Sequence, residues 1–381
     1  MSTPVAPLRP DRNSYIDALR GVSIVGVVCV HFGGSFVTTD LHVWSPSFLL
    51  GLSLNQLFCF AVPMFVFLSG LLAGSSRREI PLIDYYRGRF HRIVVPYLVA
   101  SVPAFFLLNH YAEWSRLPDF SARLRWLAEH LLYQGVEPTL YFIPLILQLY
   151  LVQPLLKALP AWGQRLAPRL SLQTSAALLA LLFFAVHVVL GILCYRGALN
   201  YYVWGRPSAF FWAFYFFIGL HFRTLTSLLS RRTLVAVSGG AGAIALAAMA
   251  WNFHHLLDRS VMGDHFQFNP LDLAYVRPEM LLYDVATVLA LGLGVALGWF
   301  ARPGLFSYLG QFTLEIYLWH ILLLYFAVWR YSDALASCRA IPELIMIICV
   351  GAAAVIAVAT DLWHRIKSFA TTHRLVLVRR E

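Results

Sequence analysis

Charged residues are scarce in this chain. Asp, Glu, Lys and Arg make up only 13% of its 381 residues, whereas soluble globular domains contain about 25%. Hydrophobic residues make up 59%, and the mean hydropathy is +0.68. This shortage of charge excludes a soluble protein, because most of the chain must then lie in lipid. The composition predicts an integral membrane protein.

Cysteine is also infrequent, and its spacing is not that of a metal site. The five cysteines lie mostly inside apolar runs and form no Cys-x-x-Cys pair. We therefore expect neither a disulfide framework nor a metal. Residues 253–278 hold a group rich in His and Asp, but its adjacent histidines point to different faces of a helix and no ligand spacing repeats. We interpret this group as a polar wall or a sugar-binding surface rather than a zinc site: His254, His255, Asp258, Asp264, His265 and Asp272.

Long apolar runs are the dominant feature of what is present. Ten segments of roughly 18–25 residues are each long enough to cross the hydrocarbon core as a helix. They cover residues 15–36, 48–74, 93–110, 139–158, 172–193, 207–225, 233–252, 279–300, 308–329 and 341–362. We predict an all-α integral membrane protein with about ten transmembrane helices. The outer segment 111–138 has a helix-like apolar pattern suited to lying in the membrane interface.

The distribution of basic residues predicts the topology. The net charge of +10 does not indicate nucleic acid, because Lys and Arg are spread over short segments between the apolar runs. With the N-terminus inside, the cytoplasmic segments hold roughly twice as many Lys and Arg as the opposite side. We therefore expect a cytoplasmic segment 1–14, one transmembrane domain over 15–362 and a basic cytoplasmic tail, 363–381. The first run is expected to be an uncleaved anchor.

The first apolar run carries three ionisable residues, Asp17, Arg20 and His31. Arg20 and His31 are eleven residues apart in the sequence. At 3.6 residues per turn, this places them on one helix face, about 16 Å apart along the axis. Charge at bilayer depth is costly, so such residues indicate a functional site. The alternative for His31 is a buried histidine that only hydrogen-bonds across helices.

A second set of candidates follows the second apolar run. Arg89 and Arg92 are three residues apart and share a helix face at the predicted cytoplasmic end of the third span. Guanidinium groups bind phosphate bidentately, so the pair is a candidate clamp for a nucleotide. Equally, basic residues at this position serve as topology anchors near anionic lipid. Ser69-Gly70 is a weaker signal, because small residues often allow close helix packing.

The ninth apolar run also contains ionisable residues, Glu315 and His320. Their spacing of five places them on different helix faces, so we expect them to contact different neighbours.

Several blocks together resemble the membrane-bound acyltransferase-3 family, the bacterial O-acyltransferases of surface glycans. Tyr15-Ile-Asp-Ala-Leu-Arg-Gly-Val-Ser-Ile and His31 resemble the first helix of that family with its Arg-x10-His motif. Met64-Phe-Val-Phe-Leu-Ser-Gly-Leu-Leu72 resembles its FFxxSGFL stretch, and Arg89-Phe-His-Arg92 with Pro96-Tyr97 its RxxR-to-Pro element. Later blocks follow in the same order: Leu140–Tyr150, Phe216–Leu220 and Leu309–His320. The resemblance covers essentially the whole chain.

This resemblance implies transfer of an acyl group, most often acetyl, from cytoplasmic acyl-coenzyme A to a glycan hydroxyl beyond the bacterial inner membrane. It implies that His31 is the catalytic base or acyl-handling residue, with Arg20 as its partner on the helix and Asp17 beside them. It further implies that Arg89 and Arg92 hold coenzyme A, and we place Ser69 in the same site. Glu315, His320 and Tyr141 are the supporting candidates, Tyr141 standing where the family often has Trp.

The acceptor is expected to be an exopolysaccharide, a lipopolysaccharide or a lipid-linked sugar. The chain then either completes the transfer itself or passes the acyl group to a separate periplasmic acyltransferase, which could belong to a polysaccharide-synthesis complex. Two other functions fit the residues. Buried Asp, Arg and His also suit a transporter or flippase for a lipid-linked glycan, although no inverted repeat is visible. A non-catalytic membrane subunit of a glycan synthase is the other alternative.

Overall fold

In the computed structural model the chain is almost entirely helical. The structure describes residues 13–37, 42–75, 81–227, 229–262, 265–267, 274–300, 302–326 and 332–378, with side chains except at 332–335 and 370–378. The first half contains α1 (Ser14–Val37), α2 (Pro46–Leu57), α3 (Ala61–Ser75), α4 (Leu82–Arg89), α5 (Val95–Leu107), α6 (His110–Ser115), α7 (Phe120–Glu129), α8 (Phe142–Leu166) and α9 (Leu172–Tyr195). The second half contains α10 (Ala209–Leu220), α11 (Phe222–Thr226), α12 (Arg231–Ser260), α13 (Pro278–Ala296), α14 (Leu305–Leu309), α15 (Thr313–Leu324), α16 (Ser332–Ala340) and α17 (Glu343–Val378).

Short irregular elements connect these helices. They include the π-helical turns Phe90–Val94, His130–Gln134 and Tyr201–Gly205 and a 3₁₀ turn at Pro138–Leu140. The strands β1 (Val261–Met262) and β2 (His265–Phe266) form one antiparallel pair. All described elements apart from this pair are helical, as an all-α membrane protein requires.

Eight of the ten predicted segments correspond to helical stretches long and apolar enough to span a membrane in the described part of the chain. These are Ser14–Val37, Pro46–Ser75, Leu82–Leu107, Pro138–Leu166, Leu172–Tyr195, Arg231–Ser260, Pro278–Ala296 and Glu343–Phe369. The chain is therefore a multi-pass membrane protein. The spans are longer than the sequence predicted at several ends, because polar caps and amphipathic turns extend the apolar helices.

The other two predicted segments, 207–225 and 308–329, contain shorter helices. The first is divided at His221 into α10 and α11. In the second, α14 and α15 are separated by a turn at Gly310–Phe312. Both α10 and α15 have 12 residues, about 18 Å of helix against a hydrocarbon core of about 30 Å. Apolar composition predicted the segments, but it does not report the turns inside them.

Side-chain caps define where several helices begin. Ser45, Ser171 and Ser230 each accept a hydrogen bond from the third residue that follows. In the predicted interfacial segment, Asp119 accepts from the backbone N–H of Ala122 at 2.7 Å and thereby starts α7. This bond holds the pKa of the exposed Asp119 carboxyl below its usual range, because it favours the ionised form. The segment 111–138 is helical over most of its length, as its apolar pattern predicted, but residues 116–119 and 135–137 are not helical.

Glycines allow α3 and α10 to pack with their backbones in contact. A Cβ atom added at Gly70 would lie 2.2 Å from the carbonyl oxygen of Phe216. One added at Gly219 would lie 2.1 Å from the carbonyl oxygen of Phe67. Ten of the 12 residues of α10 are buried. This packing explains the glycine of the Ser69-Gly70 pair. Within lipid the hydrophobic effect does not drive helices together, so their association depends on close packing.

The helix α1 lies at the centre of the bundle. It contacts α2, α3, α14, α15 and α17. Near its start, a Cβ at Gly21 would meet the carbonyl oxygen of Phe306 at 1.8 Å, and a Cβ at Gly310 would meet that of Asp17 at 1.9 Å. The α14 turn is therefore pressed against the first turns of α1. This contact fixes the helix that carries Asp17, Arg20 and His31.

Replacing Gly70 by alanine should destabilise the protein. The new methyl group has no space against the α10 backbone, so the two helices must separate, at a cost of about 1–3 kcal/mol. The melting temperature of the detergent-solubilised protein measures this effect. Gly240 is the matched control, because no atom lies within 4 Å of the Cβ position there. Gly240→Ala should be neutral or stabilising, by up to about 1 kcal/mol. Equal melting temperatures for Gly70→Ala and the wild type would contradict the close packing.

Candidate functional site

The helix α1 carries three of the predicted site residues. Arg20 Nη2 donates a hydrogen bond to Thr313 Oγ1 of α15 at 2.7 Å. Its Nη1 lies 3.9 Å from a carboxylate oxygen of Asp17, which is buried. His31 follows about three turns later, about 16 Å along the axis. The arginine thus has polar protein partners that partly compensate its charge, as a charged residue within an apolar span requires.

A cavity of about 440 Å³, here called the arginine cavity, brings four predicted residues together. Arg20, Ser69, Arg89 and Arg92 all line it. They come from α1, α3, α4 and the π-helical turn that follows α4. The remaining wall is largely apolar and includes side chains of α8 and α15. Three guanidinium groups around a largely apolar space suit a ligand with an anionic head and an apolar or weakly polar arm.

Aromatic rings hold Arg89 in place at this cavity. Its guanidinium carbon lies 4.2 Å from the ring centroid of Tyr150 and 5.1 Å from that of Tyr85. Tyr85 in turn donates a hydrogen bond to Gln153 at 2.5 Å. Arg92 is exposed and lies within the π-helical turn Phe90–Val94. A π turn widens the helix locally and occurs often at functional sites, and here both arginines reach the same cavity across it.

A second and larger space adjoins the first. This large cavity, of about 980 Å³, shares Arg20 and Leu72 with the arginine cavity, and Asp17 also lines it. Arg20 therefore stands in the wall between the two. Asp17 faces the larger of them rather than the histidine of its own helix.

His31 lines a third and very small space, the histidine cavity, of about 10 Å³. Thr139, Tyr141 and Tyr275 line it as well. Tyr317 lines both the histidine cavity and the arginine cavity. Its hydroxyl donates to the carbonyl of Thr139 at 2.5 Å and accepts from the backbone N–H of Phe142 at 3.1 Å. Both hydrogen bonds of the Tyr317 hydroxyl are therefore made to backbone groups at the helix break before α8. Tyr317 lies between the arginines and His31.

The predicted residue His320 contacts His31 directly. The two rings stack with centroids 5.4 Å apart and planes 27° apart. His320 Nδ1 lies 2.7 Å from the carbonyl oxygen of Tyr317. Because a carbonyl only accepts, Nδ1 carries a proton, and in the neutral ring Nε2 then has a lone pair. That Nε2 is buried and has no hydrogen-bond partner among the described residues.

Glu315 lies apart from this pair. It is half-buried and is absent from the described linings of all three cavities. The spacing of five correctly predicted that Glu315 and His320 occupy different surroundings.

The sequence reasoning missed two residues near His31. Arg206 lies in a short segment between apolar runs, where the sequence gives no sign of a role, yet its guanidinium lies 5.0 Å from the ring centroid of Tyr141. The π-helical turn Tyr201–Gly205 directs it inward, and its carbonyl accepts from Trp212 Nε1 at 2.9 Å. Tyr317 was overlooked because a tyrosine in an apolar helix carries no distinguishing pattern. Only contacts between distant segments reveal either residue.

A buried polar network supports α1 near His31. Asn55 donates from its amide to the carbonyl of Val30 at 2.7 Å, one residue before the histidine. The network continues through hydrogen bonds and one ion pair of 3.4 Å between Arg277 and Glu279. Its other buried members are Gln56 and Asn252. Arg277 of the region 253–278 therefore lies in the interior, as do Asn252 and Glu279, which flank this region in the sequence.

Among the described residues, the members of the His- and Asp-rich group of this region do not converge on a common site. His254 and His255 lie on α12, and His255 Nε2 accepts from Trp251 Nε1 at 2.9 Å. No group of three or more His, Cys, Asp or Glu that could hold a metal ion occurs in the part of the chain that the structure describes. Asp264 and Asp272 lie outside the described residues.

Comparison with known protein families gives one match. The acyltransferase domain of the acyltransferase-3 family matches residues 13–364, which include every predicted site residue. No curated protein and no solved structure matches the chain significantly.

A cysteine introduced at position 69 should report whether the arginine cavity is open to water. All five native cysteines are buried, so background labelling should be low. Ser69 lines the cavity and is half-buried, whereas Ser23 on α1 is completely buried. We expect a membrane-impermeant maleimide to label Ser69→Cys from the cytoplasmic side and to leave the matched control Ser23→Cys unlabelled. Labelling of Ser69→Cys from the opposite side alone would contradict the predicted topology.

Proposed function

The chain belongs to the acyltransferase-3 family, a family of membrane acyltransferases, and we propose that it is a glycan O-acyltransferase of the bacterial inner membrane. The donor is acyl-coenzyme A, most simply acetyl-coenzyme A, bound from the cytoplasm. The acceptor is a hydroxyl of a surface polysaccharide or lipid-linked glycan. The observation that carries the proposal is the continuity from three arginines to His31, since Tyr317 lines both of their cavities.

The arginine cavity suits the donor. Arg89 and Arg92 are placed to bind the diphosphate of coenzyme A, because guanidinium groups remain charged and pair with phosphate oxygens bidentately. The ring of Tyr150 fixes Arg89 in advance, so less conformational freedom is lost on binding. The apolar wall of α8 and α15 then accommodates the pantetheine arm. This arrangement directs the thioester toward Tyr317.

His31 is placed to act as the general base. The acceptor oxygen forms a bond to the thioester carbonyl carbon while its proton passes to the imidazole. The tetrahedral intermediate then expels the thiolate of coenzyme A, which takes the proton from the imidazolium. The stacked ring of His320 fixes the orientation of His31. The buried hydroxyl of Tyr141 lines the same cavity and is a candidate donor to the oxyanion.

The small size of the histidine cavity supports group transfer over glycan transport. Its volume of about 10 Å³ holds about one water molecule. A sugar chain does not pass such a constriction, whereas acyl transfer needs it to widen only enough for the thioester carbonyl and one acceptor hydroxyl to meet at His31. Acyl transfer requires the donor and the acceptor to meet at His31 from their own sides. A flippase would instead need a continuous path of glycan width.

Replacement of His31 should abolish acyl transfer. Loss of a general base lowers rates by about 10²–10⁴-fold, so His31→Ala should transfer almost no label from radiolabelled acetyl-coenzyme A. Inverted membrane vesicles expose the cytoplasmic face to the donor and contain the native acceptor. The measurement is the label recovered in glycan. Arg20→Ala should also lose transfer, because Arg20 lines the donor cavity.

His254→Ala is the matched control, since His254 is exposed on α12 and lines none of the three described cavities. It should retain wild-type transfer at equal amounts of inserted protein. Full activity of His31→Ala would refute the assigned role. Absence of both label transfer and coenzyme A binding in the wild type would favour glycan transport instead.

A further inference from the structure

The large cavity has a polar lining that the proposed function leaves unused. Its volume of about 980 Å³ is more than twice that of the arginine cavity, at about 440 Å³. Its walls come from the first turn of α1, the end of α3, α11, the start of α12 and the end of α13. The polar side chains that line it are Asn13, Asp17, Arg20, Ser75, Arg223, Thr226 and Ser227.

We propose that acyl-coenzyme A occupies both cavities and that Arg223 binds its 3′-phosphate within the large cavity. The inference rests on the proposed function, because it assigns a second part of the same donor. In this arrangement Arg89 and Arg92 bind the diphosphate, and the adenosine with its 3′-phosphate extends past Arg20. Neither the family match nor the sequence pattern singles out Arg223.

The orientation of the bound donor follows from which cavities share lining residues. The thioester must approach His31, and Tyr317 joins the histidine cavity to the arginine cavity but does not line the large cavity. The pantetheine arm therefore belongs in the arginine cavity, and the nucleotide lies toward its far end. There Arg20 and Leu72 form a shared wall with the large cavity. A binding pocket for a drug-sized ligand has about 300–1,000 Å³, so the larger donor needs more than the arginine cavity alone.

Arg223 is held where a phosphate in the large cavity can reach it. It is an exposed residue of α11, directly after the turn at His221. His221 Nε2 donates to the carbonyl of Leu156 on α8 at 3.0 Å, which fixes the start of α11 against a spanning helix. Thr226 donates to the carbonyl of Phe222 at 2.8 Å and holds the short helix closed. The guanidinium of Arg223 thus extends from a fixed backbone, as bidentate phosphate binding requires.

The electrostatics of the large cavity also favour an anion. Two arginines, Arg20 and Arg223, line it against one carboxylate. That carboxylate, Asp17, is buried and lies within 3.9 Å of Arg20, so the pair is locally compensated and Arg223 contributes the net positive charge. The first turn of α1, capped by Asn13, opens into the same space. The positive end of that helix adds to the attraction for a phosphate.

The test compares coenzyme A with 3′-dephospho-coenzyme A, which lacks only the phosphate in question. Binding of both is measured by calorimetry on the full-length protein in nanodiscs. We expect the wild type to bind coenzyme A about tenfold more tightly than the dephospho form, a typical effect of one charge-assisted contact. Arg223→Ala should lose this preference by weakening coenzyme A alone. Arg92→Ala should weaken both ligands equally, because both contain the diphosphate.

Arg232→Ala is the control for loss of charge. Arg232 is an exposed arginine of α12 that does not line the large cavity, and this variant should keep the wild-type preference. Arg223→Lys, which retains the charge but not the fork, should keep part of it.

Three results would overturn the inference while leaving the proposed function intact. They are a wild type that binds both ligands equally, a preference that persists in Arg223→Ala, and a preference lost in Arg92→Ala instead. Absence of coenzyme A binding in the wild type would overturn the inference and the proposed function together.

Discussion

An arginine and a histidine on a membrane-spanning helix must be enclosed by other protein groups, and the arrangement around α1 follows from this constraint. Arg20 finds its partners in Asp17 of the same helix and Thr313 of α15. To bring α15 that close, the preceding turn packs directly on α1, where Gly310 leaves no room for a side chain. The enclosure that makes the charge tolerable therefore also forms the wall between two cavities.

The helices that enclose α1 must also be held together. Within lipid, apolar side chains gain little by burial against one another, so association depends on close packing and on polar contacts between helices. The glycine contacts between α3 and α10 provide the close packing. The network from Asn55 to Arg277 provides the polar contacts. An ion pair such as Arg277–Glu279 is costly to desolvate and costs still more to break. Through Gln56 and Asn55, the pair is connected by hydrogen bonds to the carbonyl of Val30, which precedes His31 on α1.

The sequence predicted most of the architecture and part of the site. Apolar length identified ten segments, because the hydrocarbon core imposes a minimum run on every span. Periodicity placed Arg89 and Arg92 on one face, and the structure brings both to a cavity with Arg20 and Ser69. The turns at His221 and Gly310 were not predicted, since apolar composition is the same in a helix and in a buried turn. The contacts of His320, Tyr317 and Arg206 depend on segments far apart in the chain, which no local spacing encodes.

The division of α1 into a charged end and a histidine end has a chemical logic. A donor that carries several negative charges is attracted by arginines, but a fixed positive charge beside the base would hinder its protonation. A separation of about 16 Å along one rigid helix places Arg20 well away from His31. Arg206, the arginine nearer the histidine cavity, lies against the ring of Tyr141. The neutral arm of the donor is then the only part that must cross this distance. Tyr317, attached to the break before α8 on one side and to His320 through its carbonyl on the other, lies where that arm would end.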